Sequence, residues 1–130
     1  MSLTYADVVL RTLDGSGTPL HGVFAVDPSY VECVVSSDAL LKCGIVPVGE
    51  RQFARPDGTT EVLPFGFVKV QALDGKSVST VVFSDQTDDA TLGSAALQLL
   101  GYFTDYLTGA LTKRAAIPLK SSTLATVPPR

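Results

Sequence analysis

The sequence predicts a mostly β domain, a closed or sandwiched sheet of about seven strands with one or two short helices. Three Asp-Gly pairs, Asp14-Gly15, Asp57-Gly58 and Asp74-Gly75, each lie between segments rich in Val, Phe, Leu and Thr, and that arrangement is a strong short-range hairpin signal. Only two short stretches show helical spacing. Hydrophobic residues make up 45% of the 130-residue chain, enough to close one core.

Taken in order, the first hairpin joins a strand over residues 5–12 to one over 19–26. SSDALLKCG follows, where Ser36 or Ser37 can cap a helix of a turn or two, Asp38 favours its N-terminus and Gly44 can stop it. The second hairpin joins 50–55 to a long strand from residue 60, expected to bend where Pro64 and Gly66 interrupt it. The third returns through 77–83. In TLGSAALQLLG, Leu92, Ala95, Ala96, Leu99 and Leu100 fall at helical spacing, with Ser94 to cap the start and Gly101 the end. Residues 115–130 are richer in Pro, Ser and Thr and read as a tail on a 1–114 domain, packing against a neighbouring chain.

Composition excludes several classes of function. A net charge of -3, with ten Lys and Arg scattered singly, leaves no electrostatic footprint for nucleic acid. No apolar run approaches the roughly 18 residues needed to cross a bilayer, and the N-terminus has no basic segment followed by an apolar one. The chain therefore reads as soluble and cytoplasmic, without a membrane partner. Cys33 and Cys43 read as free, buried thiols, because nothing marks the chain for an oxidising compartment. Asp85, Asp88 and Asp89 form an acidic loop, with no His or further carboxylate to complete a metal-ligand spacing. No metal or cofactor is expected. His21 stands alone on a strand, with no Ser or Cys partner that the sequence nominates.

One acid differs from the others. Asp27 ends the apolar strand of GVFAVDPSYVECVVSSDALLKCG, whereas Asp38, Asp57 and Asp74 are explained by a helix start and two turns, and Asp105 by a later turn. An apolar strand ending in an acid, a second apolar strand with a short helix and Gly, the hairpin RQFARPDGTTEVLPFG, the Thr91-Leu92-Gly93 helix opening and the closing GYFTDYLTGAL come in that order. Over residues 6–111 this order resembles the single-domain retropepsin-like aspartic peptidases. The resemblance implies a closed acid-protease β-barrel and a homodimer that acts on a peptide or protein. It implies Asp27 as the catalytic acid, the Asp57-Gly58 hairpin as a flap, and Ser29, Leu92 and Gly93 beside Asp27 on the substrate side. In that chemistry two like charges a few Å apart share one proton; one carboxyl serves as base on a water while the other polarises the scissile carbonyl.

The motif departs from the Asp-Thr-Gly-Ala of that family. The family's Thr uses its hydroxyl and backbone N–H to bridge to the other chain, and Pro28 has neither donor. Each hydrogen bond lost is worth about 0.5–1.5 kcal/mol, and a catalytic group misplaced by about 1 Å loses roughly a hundredfold in rate. Ser29 replaces the Gly but keeps an N–H for Asp27, a mild change unless the loop needs positive φ. Tyr30 adds bulk where Ala is usual. Three readings follow: a homodimeric endopeptidase of weakened or lost activity, a non-catalytic peptide-binding or scaffolding domain on the same fold, or an unrelated β domain in which Asp-Pro-Ser is a turn.

Overall fold

The computed structural model describes residues 4–55, 57–85, 90–105, 107–108 and 110–116. Its elements in chain order are β1 Thr4–Arg11, β2 Leu20–Val26, β3 Cys33–Ser36, α1 Ser37–Lys42, β4 Gly49–Ala54, β5 Thr60–Ala72, β6 Gly75–Ser84, β7 Thr91–Leu92, α2 Ser94–Leu100, β8 Tyr102–Thr104 and β9 Leu111–Lys113. The first seven strands form a sheet in the order β1-β2-β7-β3-β6-β5-β4, and β5 also pairs with β1, so the ladder returns on itself. The expected mostly β, closed fold with two short helices is the observed one. No described helix is long and apolar enough to cross a membrane.

Closure depends on β5. Its residues 60–65 pair with β4, its residues 65–72 with β6 and its residues 69–72 with β1. With β6 on one edge and β4 followed by β1 on the other, β5 runs as one strand through Pro64 and Gly66, the place at which a bend was expected. Pro64 fits because this half of β5 has β4 on one edge and no described strand on its other, so its missing N–H takes nothing from the sheet. As a consequence, β4 and the first half of β5 stand out from the closed body as a two-stranded hairpin.

Period-2 alternation builds the core. Val8 and Leu10 of β1, Phe24 of β2, Val68 and Val70 of β5 and Val81 of β6 are all buried and pack as one cluster with Leu40 of α1 and Ala96, Leu97 and Leu100 of α2. Full burial of a side chain such as Phe24 contributes roughly 1.5–3 kcal/mol. The helical phase of α2 differs from the expected one: Leu97 is the inward residue and Leu99 is 57% exposed. In a helix of seven residues flanked by apolar positions, the spacing alone admits both phases, and packing against β6 selects one. Ser94 is the first helical residue and Gly93 the cap, while Gly101 ends the helix at φ 90° as expected. Ser36 precedes α1 without a side-chain cap bond.

Two further expectations change. The closing segment is a separate hairpin, β8 with β9, held to the body where Asp74 accepts a 2.7 Å hydrogen bond from the Tyr102 hydroxyl and pairs with the Lys113 ammonium. These two partners, Lys113 first, hold the Asp74 carboxyl below its usual range. Both cysteines carry free thiols, Cys33 buried and Cys43 only half-buried. The 117–130 part of the tail and Asp88 and Asp89 of the acidic loop lie outside the described residues.

The third Asp-Gly pair also turns one residue early. Ala72 pairs with Gly75, so Leu73 and Asp74 are the central residues, and Leu73 alone takes a positive φ of 59°. A positive φ at the first central residue only is the II′ arrangement, which favours Gly there. A left-handed non-Gly residue costs roughly 1–2 kcal/mol, against about 0.5–1 kcal/mol of backbone entropy for Gly. Leu73→Gly is therefore expected to raise stability by up to about 1 kcal/mol, read as a higher urea midpoint at unchanged slope; a lower midpoint would show that Leu73 packing outweighs the strain.

Candidate active site

Asp27 leaves the sheet at a fixed point. Val26 is buried and pairs in parallel with Leu92, and the Asp27 N–H donates to the Leu92 carbonyl at 3.2 Å. Pro28 then keeps Asp27 from helical geometry and presets the first central position of a turn, closed by the Tyr30 N–H on the Asp27 carbonyl at 3.2 Å. The Asp27 carboxylate folds back on this turn. Its Oδ1 accepts the Ser29 N–H at 3.0 Å and the Ser29 hydroxyl at 2.5 Å. Ser29 does this without positive φ, since Leu73 is the one described non-Gly residue with that backbone, so the change from Gly introduces no strain.

The far side of the loop is tied to α2. The first N–H groups of a helix have no partners within it, and here the Ser94 N–H donates to the Tyr30 carbonyl at 2.8 Å and the Ala95 N–H to the Val31 carbonyl at 3.0 Å. Gly93 makes this possible. A Cβ there would stand 2.5 Å from the Val31 carbonyl oxygen and 2.4 Å from that of Glu32, so only Gly lets the helix start this close to the loop. Beneath it, burial pushes the Cys33 thiol up to about 11, which makes it a packing residue and not a nucleophile.

The structure thus brings together Asp27, Ser29, Leu92 and Gly93. Leu92 is fully buried, so it meets the loop through its carbonyl, and its side chain is not available to a ligand. Asp57 and Gly58 are at the exposed tip of the β4–β5 hairpin, where Asp57 Oδ1 accepts the Thr59 N–H at 2.9 Å and hydroxyl at 2.6 Å, and Gly58 has φ 88°. Their bonds shape the tip itself.

Two residues not singled out from the sequence link the hairpin to the loop. Side chains of Arg51, Phe53, Glu61, Leu63 and Phe65 share one hairpin face through the pairs Arg51–Leu63, Phe53–Glu61 and Gly49–Phe65. Phe53, Glu61 and Leu63 of that face are half-buried and Phe65 is buried, with Arg51 exposed beside them, while on the opposite face Glu50, Gln52, Ala54, Thr60 and Val62 are exposed and Pro64 is half-buried. Glu32, directly after the loop, has its carboxyl pushed up by partial burial and pulled back by the charge of Arg51. The charge of Arg51, on this face of the hairpin, thus reaches the residue that follows the Asp27 loop. The alternation of β4 was readable in the sequence, but the influence of Arg51 on Glu32 acts between distant parts of the chain and no local pattern carries it.

Gly93→Ala should destabilise the protein by about 3 kcal/mol, the upper end for overpacking, because its obstacles are backbone oxygens; a chemical-denaturation difference near zero would contradict the contact. For Glu32 the raised carboxyl sets the sign. Below its unfolded value near 4.5 both states are protonated; as pH rises through the folded value, the native state loses stability relative to the unfolded one. Glu32→Gln should thus match wild type at about pH 4 and become the more stable of the two towards neutral pH, as denaturation across that range will register.

No protein-family model matches the sequence, and no curated protein does. Two of the solved structures similar in backbone illustrate the likeness. A foamy viral protease–reverse transcriptase in complex with double-stranded DNA aligns over 71% of this chain, which spans 14% of that longer chain, at 13% identity and a TM-score of 0.49. A retropepsin-like aspartic protease from Rickettsia conorii aligns over 80% of this chain and 88% of its own, at 14% identity and a TM-score of 0.48.

Proposed function

We propose that the protein is a homodimeric aspartic-peptidase-like hydrolase of weakened activity, in which Asp27 of each of two copies meets across a two-fold axis beneath the β4–β5 hairpins. The observation that carries this reading is the position of Asp27: the acid at the mouth of an apolar strand, fixed by its N–H to Leu92 and with its carboxylate held by the Ser29 N–H. A single copy supplies one such carboxyl. Two in contact share a proton, and the pair can then activate water and polarise a peptide carbonyl. The free thiols of Cys33 and Cys43 suit the reducing cytoplasm.

The support for Asp27 comes from within its own turn. Pro28 has no N–H or hydroxyl to send to a second copy, and the Ser29 hydroxyl, at 2.5 Å, returns to Asp27. Nothing in the loop then registers one carboxylate against the other to the fraction of an ångström that catalysis requires. That same observation favours a second reading, a peptide-binding domain in which the carboxylate is a turn-former.

A fluorogenic apolar peptide at mildly acid pH tests the proposal. Slow cleavage by the dimer, abolished in Asp27→Asn, is the expected result, and Pro28→Thr with Ser29→Gly should raise turnover by about a hundredfold if misplacement is the cause. Cleavage surviving Asp27→Asn would move the activity elsewhere. A monomer in sedimentation at all working concentrations would overturn the shared-proton site.

A further inference from the structure

Among the described residues, the Phe53–Leu63 face of the hairpin carries one cation outside any ion pair, Arg51. The guanidinium of Arg51 lies over the Phe65 ring, 4.5 Å from its centroid, and Phe65 is itself held edge-on by Phe67 at a centroid distance of 5.9 Å. Among the described residues the ion pairs are Arg55–Glu61 and Lys113–Asp74, so Arg51 has no carboxylate in contact. The ring contact places the guanidinium, and among the described residues none of its N–H donors meets a carboxylate, so it is open to one in a forked pair. Phe53 and Leu63, half-buried, stand beside it on the same face.

We propose that Arg51 is a specificity-determining residue of this cleft and that it selects extended apolar peptides bearing an acidic side chain. The inference rests on the reading of the β4–β5 hairpin as the cover of the Asp27 site. Arg51 supplies the forked donor, Phe53 and Leu63 the apolar wall on either side of the bound chain. Glu32 is the internal competitor. Its carboxyl lies within the field of Arg51 without pairing to it, so a ligand carboxylate reaching the guanidinium works against the negative charge of Glu32. Removal of Glu32 and removal of Arg51 should consequently act in opposite directions.

Two short apolar peptides with a non-hydrolysable backbone, identical except for one Glu or Gln, distinguish the possibilities by calorimetric titration. For wild type the Glu peptide should bind about tenfold more tightly. Arg51→Gln should erase that ratio, Arg51→Lys, which keeps the charge but loses the fork, should leave an intermediate one, and Glu32→Gln should widen it several-fold. A ratio unchanged in Arg51→Gln, with the circular dichroism of the variant native, overturns the role of Arg51 and leaves the cleft intact. Binding of neither peptide to wild type overturns the cleft reading, and the role of Arg51 with it.

Discussion

The capping of α2 by the carbonyls of the Asp27 loop is the constraint on which the rest of the site depends. A helix that starts on Gly93 has no capping side chain, and its first N–H groups would be left unpaired in a buried place, at a cost of about 1–3 kcal/mol for each group. Tyr30 and Val31 supply the oxygens. In return the loop is held along its length: at its start by Asp27 to Leu92, at its end by two bonds to the helix, and in its middle by the turn that Pro28 presets. A helix terminus and a candidate active-site loop thus satisfy each other, and Gly93 is the residue whose missing side chain allows it.

Within that frame the Asp-Pro-Ser sequence has a double consequence. Pro28 reduces the freedom of the unfolded loop and favours the turn, and the Ser29 N–H and hydroxyl keep the carboxylate in one orientation. The loop therefore does not need a second copy to hold its shape. In the retropepsin-like arrangement that the sequence resembles, the residue after the acid reaches across to the partner, so loop order and pairing of the copies are one event. Here the turn is complete within a single chain. The same turn chemistry at Asp57 and Thr59 shows that a carboxylate so bonded is, by itself, an ordinary turn-former.

How much of this was legible in the sequence follows from the range of each interaction. The strands around Asp14-Gly15, Asp57-Gly58 and Asp74-Gly75 were readable because hairpin pairing is local, and Asp27 was readable because it ends an apolar strand. The turn at Leu73 was misplaced by one residue for a long-range reason: a Cβ on Gly75 would stand 3.0 Å from the Leu100 carbonyl, so Gly75 is Gly for its approach to α2 and not for its own backbone. The unbroken β5 and the inward Leu97 were hidden likewise, since each depends on which distant strand lies alongside. The order of elements at the site was legible; the mutual capping of loop and helix, and the facing of Arg51 to Glu32, were not.

The hairpin shows why such long-range information matters for function. By alternation alone, Arg51, Phe53 and Leu63 share a face, and either face could have been turned to solvent. Partial burial of Phe53 and Leu63 marks their face as the more covered one, and the charge of Arg51 on it reaches Glu32. On one edge of β5 the partner changes from β4 to β1 between Phe65 and Lys69, while β6 stays paired along the other edge from Phe65 to Ala72. Pro64 and Gly66 lie where the hairpin leaves the closed sheet, and a Cβ on Gly66 would stand 2.9 Å from the Val46 carbonyl oxygen, so Gly is required at that junction.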